Sequence, residues 1–210
     1  MQRPRHISFD LDGTLIDSFP VMKAAWENVC QTFSLAIPFE HYRHYIGVPF
    51  DVIMSKLGLA KSCDDIQKVY FDYTRKNVNE ITLFDGQRDL FSRLRDNDIT
   101  ISIITSKPRI NAEHLVEKFG IDTDSLVCGN DFSVGKPHPL PMEKLLQHLN
   151  IDSGETVYVG DMLSDFQFAV NSNVDFIFFS GGEYSDINDL VVNPRGVATS
   201  LKDLAALLDV

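Results

Sequence analysis

Residues 6–18 read HISFDLDGTLIDS. Ile7, Phe9 and Leu11 alternate into a stretch that also carries Asp10 and Asp12, the period-two pattern of a β-strand that buries one face. Two carboxylates that close repel one another. At about 4 Å and an effective dielectric of ~20 the repulsion is about 4 kcal/mol. The rest of the chain has to supply what holds them at the end of a buried strand.

Working outward, five further apolar runs end in small or acidic residues: ITISIITS (99–106), SLVCGND (125–131), ETVYVGD (155–161), VDFIFFSGG (174–182) and the weaker GVATS (196–200). Each has strand length and is rich in β-branched or aromatic residues before a turn signal. Helical patterns intervene, with Ala112, Leu115, Val116 and Phe119 on one face and Met142, Leu145, Leu146 and Leu149 on another. Nearly continuous apolar strands alternating with helices predict an α/β fold, a parallel sheet with helices on both faces.

Residues 18–83 break the rhythm and contain no convincing strand. Met22, Trp26, Val29 and Phe33 recur at helical spacing after Pro20, a favoured first-turn residue. Ser62 with Asp65 predicts a capping box ahead of Ile66, Val69, Tyr70 and Tyr73. The expectation is one core domain, residues 1–17 and 84–210, carrying an inserted α-helical domain over 18–83.

Composition narrows the function. The 210 residues are 44% hydrophobic and 23% charged, with a formal net charge of −11. So acidic a chain is unsuited to nucleic-acid backbones or anionic lipid. No run approaches the ~18 apolar residues of a membrane span. Cys30, Cys63 and Cys128 show no CxxC spacing, which argues against a disulfide framework or a structural zinc site and for a reduced, cytoplasmic setting. Monomer and homodimer both remain open.

Ligands of parallel sheets bind beyond the carboxyl ends of the strands. There the sequence gathers Asp10 and Asp12, then Thr105 and Ser106, then Lys136, then Asp161 and Asp165. Converging carboxylates raise each other's pKa unless neutralised. An oxygen-only donor set suits Mg²⁺, which binds through one or two carboxylates, waters and a substrate phosphate. Thr105 and Lys136 complete a site for a phosphoryl group. Other phosphate and metal motifs fail on spacing. A calcium loop starting at Asp10 would need Gly where Leu15 stands and Glu where Val21 stands. A P-loop over GNDFSVGKP has five residues between Gly129 and Gly135, and Pro137 in place of the magnesium-binding hydroxyl. His41 and His44, flanking Arg43, do not make a closed metal site.

DLDGT (10–14), Thr105 at a strand end, Lys136 in GKPHP and GDMLSD (160–165) resemble, in order, the four motifs of the haloacid dehalogenase-like superfamily. The resemblance spans nearly the whole chain. It implies a Rossmann-like core, with residues 18–83 as the family's helical cap. It also implies a Mg²⁺-dependent phosphatase acting on small phosphorylated metabolites through an aspartyl-phosphate. Asp10 would be the nucleophile, and Asp12 the acid and base at the leaving oxygen and the water. Asp10, the Asp12 carbonyl and Asp161 would hold Mg²⁺, with Asp165 orienting that shell. Thr105, Ser106, Lys136 and the backbone from Leu11 to Gly13 would contact the phosphoryl group. The second aspartate, absent from the dehalogenases of the family, points to phosphoryl transfer.

Two positions depart from the common pattern: Ser106 stands where Asn is frequent, and Met162 where Thr is. YIGVPFDVIMSKLG (45–58) resembles the cap's specificity loop, which makes Arg43 a candidate anchor for a substrate carboxylate. The phosphoglycolate phosphatase branch looks nearest. A sugar phosphomutase of the β-phosphoglucomutase type and a catalytically silent binding protein share the scaffold.

Overall fold

The computed structural model describes residues 3–182 and 194–210. The opening stretch forms β1 (His6–Phe9), with Ile7, Phe9 and the following Leu11 fully buried. His6 and Ser8, on the opposite face, are fully buried as well. β1 is therefore covered on both sides, as a central parallel strand requires. It lies between β4 (Thr100–Ile104) and β6 (Thr156–Gly160), parallel to both, with His6 level with Thr100 and Thr156.

β5 (Ser125–Val127) extends the sheet beyond β4, while β7 (Asp175–Phe179) and β8 (Gly196–Ala198) extend it beyond β6. All six expected strands form, in the order β5-β4-β1-β6-β7-β8. The chain builds one way from β1 and then the other. This opens a crevice at the carboxyl ends of β1, β4 and β6.

Two helical layers cover the sheet. On one face Ile7, Phe9, Ile101 and Ile103 pack with α5 (Gln87–Asp96), α6 (Arg109–Phe119) and α9 (Leu201–Leu208). On the other, Ile104, Tyr158, Phe176 and Phe178 pack with α7 (Leu140–Leu149) and α8 (Leu163–Asn171).

Helices α1 (Phe19–Phe33), α2 (Phe39–Arg43), α3 (Phe50–Lys56) and α4 (Cys63–Lys76) gather around a separate apolar core. Trp26 stacks on Tyr42 with ring centroids 4.4 Å apart and donates its indole N–H to the Ile37 carbonyl at 2.9 Å. At the base of this block the structure adds an element that periodicity could not reveal. β2 (Ile16–Asp17) pairs antiparallel with β3 (Thr82–Leu83), two residues on each side. Such short runs carry no readable alternation. Their pairing sets the outgoing and returning chain side by side.

The capping box expected at Ser62 does not form. Residues Ala60–Ser62 already turn as a 3₁₀ helix that runs into α4, and the Ser62 side chain makes no capping hydrogen bond. Cys30, Cys63 and Cys128 are all free thiols. Among the described residues no helix is long and apolar enough to cross a membrane.

Candidate active site

Asp10 follows β1, and its N–H donates to the Val159 carbonyl of β6 at 2.8 Å. Its carboxylate is 6% exposed and accepts a hydrogen bond from Lys136 Nζ at 2.8 Å. The same ammonium donates to Asp165 at 2.7 Å and to the Tyr158 hydroxyl at 3.0 Å. Tyr158 in turn donates to the Ile104 carbonyl at 3.0 Å. A buried lysine with three donors and three oxygen partners is fully satisfied.

Asp165 is held from a second direction. It stands in the first turn of α8 and accepts the Met162 N–H at 3.0 Å, reaching back as a third-position acid does in a capping box. Asp161, after β6, accepts from Thr14 Oγ1 at 2.9 Å. Its other oxygen, Oδ2, is buried without a hydrogen-bond partner. Gly13, at φ +81°, passes directly over that oxygen; a Cβ there would lie 2.2 Å from it. Gly13 is thus demanded both by its left-handed backbone and by the close approach.

Asp10, Asp161 and Asp165 bring ligand atoms within 4.8 Å of one another. Burial pushes Asp10 up to about 7. Lys136 opposes that rise and Asp165 adds to it. Asp161 lies well above the ordinary carboxylate range because it is buried and because Asp165 and Asp10 repel its charge. Burial alone would lower Lys136, yet Asp10 and Asp165 hold it well above the usual lysine value. Two of the three buried acids thus share one ammonium, and Asp161 has none. A buried carboxylate oxygen without a donor, beside two more acids, fits a hard cation.

Asp12 points to the other side. Oδ1 accepts from Ser18 Oγ at 2.5 Å, and Oδ2 lies 3.2 Å from Lys107 Nζ. Thr105 Oγ1 accepts the Lys107 N–H at 3.2 Å, which leaves the hydroxyl proton of Thr105 to donate elsewhere. Asp10, Asp12, Thr105 and Lys107 form one wall of a cavity of about 50 Å³. Met22, Tyr42, Ile46, Phe50 and Tyr70 of the helical block form part of the opposite wall. Both phenols are buried, and both hydroxyls titrate above the ordinary tyrosine value, chiefly because of that burial. A larger cavity, about 820 Å³, runs between α3 and the 129–139 loop and shares Val48, Phe50 and Ser106 with the first.

Asp10, Asp12, Thr105 and Ser106 all line the smaller cavity, while Lys136, Asp161 and Asp165 stand behind Asp10. Leu11 is fully buried and its carbonyl accepts from Leu15 and Ile16. The Gly13 N–H is bonded to the Ile16 carbonyl at 2.8 Å. Ser106 Oγ donates to the Gly47 carbonyl at 2.7 Å, so its hydroxyl bridges the sheet edge to the helical block. Gly47, at φ +100°, also abuts Ser164, where a Cβ would come within 2.1 Å of Oγ.

Arg43 is not brought to the site. It does not line the cavity, and its Nε pairs with Glu40 at 3.0 Å, one turn away on α2. Thr14, Ser18, Tyr158, Tyr42 and Tyr70 were not singled out for the site from sequence. The hydroxyls just after DLDG were a readable signal for the first two. The two cap tyrosines lie in a helical apolar pattern that reads only as core.

Pyrophosphatase PpaX of Oceanobacillus iheyensis is 28% identical over 172 residues, covering 81% of this chain and 80% of that one. A phosphoglycolate phosphatase of Pectobacterium atrosepticum is 31% identical over 176 residues, covering 79% and 75%. The crystal structure of a hydrolase from Pseudomonas syringae superimposes with a TM-score of 0.88 at 21% identity, over 98% of each chain. The sequence profile of the haloacid dehalogenase-like hydrolases matches residues 7–179. The chain belongs to the haloacid dehalogenase-like hydrolase family.

Proposed function

We propose that this hydrolase is a Mg²⁺-dependent phosphatase of small phosphomonoesters that works through a phosphorylated Asp10. The observation that carries this reading is the division of labour between the two acids of DLDGT. Asp10 pairs with Lys136 beside the acid cluster, while Asp12 on the same wall of the cavity pairs with Ser18 and Lys107. In this reading Asp10 takes the phosphoryl group and Asp12 serves the leaving group.

Asp10, Asp161 and the Asp12 carbonyl would hold Mg²⁺, with Asp165 fixed by Lys136 and Met162 as the orienting acid. Bound there, the ion supplies positive charge that screens the carboxylates and polarises phosphoryl oxygens. Asp10 attacks phosphorus in line as the ester P–O bond breaks, and Asp12 gives its proton to the departing oxygen. Asp12 then takes a proton from the water that attacks the aspartyl-phosphate, releasing phosphate and restoring Asp10. Thr105 donates to a phosphoryl oxygen, and Lys136 offsets the charge shared by Asp10 and the phosphoryl group.

Residues 18–83 act as the cap in this reading. Met22, Tyr42, Ile46, Phe50 and Tyr70 of this block would face the leaving group across the cavity from Asp10 and Asp12. The names of the relatives favour phosphoglycolate or pyrophosphate as substrates. A phosphate-release screen over metabolite phosphates, with Mg²⁺ and with chelator, tests the proposal. Metal-dependent release from small esters is expected. Release that persists after exhaustive chelation contradicts it.

A further inference from the structure

The wall that faces Asp10 and Asp12 carries almost no charge. Among the described residues lining the cavity, the charged side chains are Asp10, Asp12 and Lys107, and every lining residue from the helical block is neutral. Lys136 cannot serve a leaving group, because its three donors are taken by Asp10, Asp165 and Tyr158. Lys107 differs. Its side chain is 8% exposed, it makes one ion pair, 3.2 Å to Asp12 Oδ2, and an ammonium has three donors. Across the cavity Tyr70, itself 2% exposed, carries a hydroxyl with no hydrogen-bond partner. Tyr42 stands beside it with ring centroids 5.6 Å apart, and the two phenols feel one another electrostatically. A buried phenol donor left unpaired is costly unless a ligand completes it.

We propose that the site selects phosphate esters or anhydrides carrying a second anionic group close to the scissile oxygen, and that Lys107 recognises that group, with Tyr70 as a second donor. The proposal rests on the phosphatase reading and deepens it. Asp12 and the second anion then share one ammonium, which places the leaving oxygen beside the acid that protonates it. The anion is a carboxylate or a second phosphoryl group. The surrounding wall of Met22, Ile46 and Phe50 is apolar and offers the second anion no competing charge.

The test measures steady-state hydrolysis of 2-phosphoglycolate, pyrophosphate and 2-hydroxyethyl phosphate with Mg²⁺ by the wild type, Lys107→Met, Lys107→Arg and Tyr70→Phe. 2-Hydroxyethyl phosphate matches phosphoglycolate in length and lacks its carboxylate. Lys107→Met is expected to lower kcat/KM for at least one dianionic-plus-anionic substrate about 10- to 100-fold more than for the neutral match, mostly through KM. Lys107→Arg retains part of the preference, and Tyr70→Phe loses a smaller part. Which substrate suffers identifies the anion as carboxylate or phosphoryl. Equal losses on all three substrates, or losses in kcat alone with an altered pH profile, mean that Lys107 acts only through Asp12 and overturn the proposal. If the wild type hydrolyses none of them, the wider phosphate-release screen decides the phosphatase reading separately. Calorimetric binding of phosphoglycolate against 2-hydroxyethyl phosphate then decides the Lys107 assignment, and equal affinities overturn it.

Discussion

Replacing Lys136 with Met removes the single ammonium that two buried carboxylates share. Asp10 and Asp165 are 6% and 0% exposed, and they accept from Nζ at 2.8 and 2.7 Å. Breaking a buried pair by deleting one partner costs about 3–5 kcal/mol, because the charge left behind has neither solvent nor counter-ion. Two charge-assisted hydrogen bonds at about 1.5–3 kcal/mol each give about 3–6 kcal/mol, which overlaps that range. The cost also has a sign in pH. Asp10 is already pushed up to about 7 with Lys136 present, and loss of the cation drives it higher. An acid whose folded pKa lies above its unfolded value destabilises the fold when ionised, so stability recovers as pH falls through the folded pKa. The part of the deficit that comes from Asp10 therefore shrinks as pH falls from about 8 to about 7 and is flat below that, where Asp10 is protonated in both proteins. Urea unfolding of both proteins in chelator, followed by circular dichroism at each pH, measures the difference directly. A second change, Asp165→Asn in the same background, returns part of the lost stability. A deficit below about 1 kcal/mol at the higher pH, or one that grows on acidification, would refute the assignment of Lys136 as the charge shared by both acids.

Three other outcomes follow from the same geometry. His6 is fully buried between Ser102 and Thr156, with ring nitrogens 2.8 and 3.2 Å from their hydroxyls. Burial lowers its pKa from 6.5 to about 4, so the unfolded chain takes the proton first. About 3 kcal/mol of stability present above pH 6.5 is then lost as pH falls toward about 4; His6→Gln should flatten that part of the wild-type stability curve. Gly13→Ala forces a Cβ to 2.2 Å from Asp161 Oδ2 at φ +81° and should weaken Mg²⁺ binding at least about tenfold by calorimetry, on top of about 1–2 kcal/mol of backbone strain. Mg²⁺ at about a hundred times its Kd should stabilise the chain by about 2.7 kcal/mol, or about 5–10 °C in Tm at this size; Asp161→Asn should abolish that shift.

How much of this was legible in the chain depends on period and charge. β1, β4, β6 and β7 are buried on both faces, so their runs of Ile, Val and Phe stand out and fix where Asp10, Thr105 and Asp161 emerge. The carboxylates were legible because acids at buried strand ends are expensive and so rarely accidental. Asp165 was legible as a first-turn acid, though its bond to Lys136 depends on packing that no spacing reveals. The β2–β3 pairing was hidden by its two-residue strands, and the Ser62 box failed because a 3₁₀ turn took over the entry to α4. Arg43 illustrates the limit on the cap. Nearness in sequence to a candidate loop says nothing about which face of a short helix meets the cavity, and in the structure Tyr42, its neighbour, lines the cavity instead. Lys107 was visible as a basic residue after β4. Only the fold shows that it meets Asp12.

In the proposed reaction Asp10 carries the phosphoryl group during turnover. Acid quenching of the wild type during turnover of a radiolabelled phosphate ester with Mg²⁺, followed by peptide mapping, tests it most directly. Label is expected on the peptide containing Asp10, released by hydroxylamine as an acyl phosphate is, with neither label nor turnover in Asp10→Asn. Turnover in Asp10→Asn, or label on a different residue of the wild type, would contradict it.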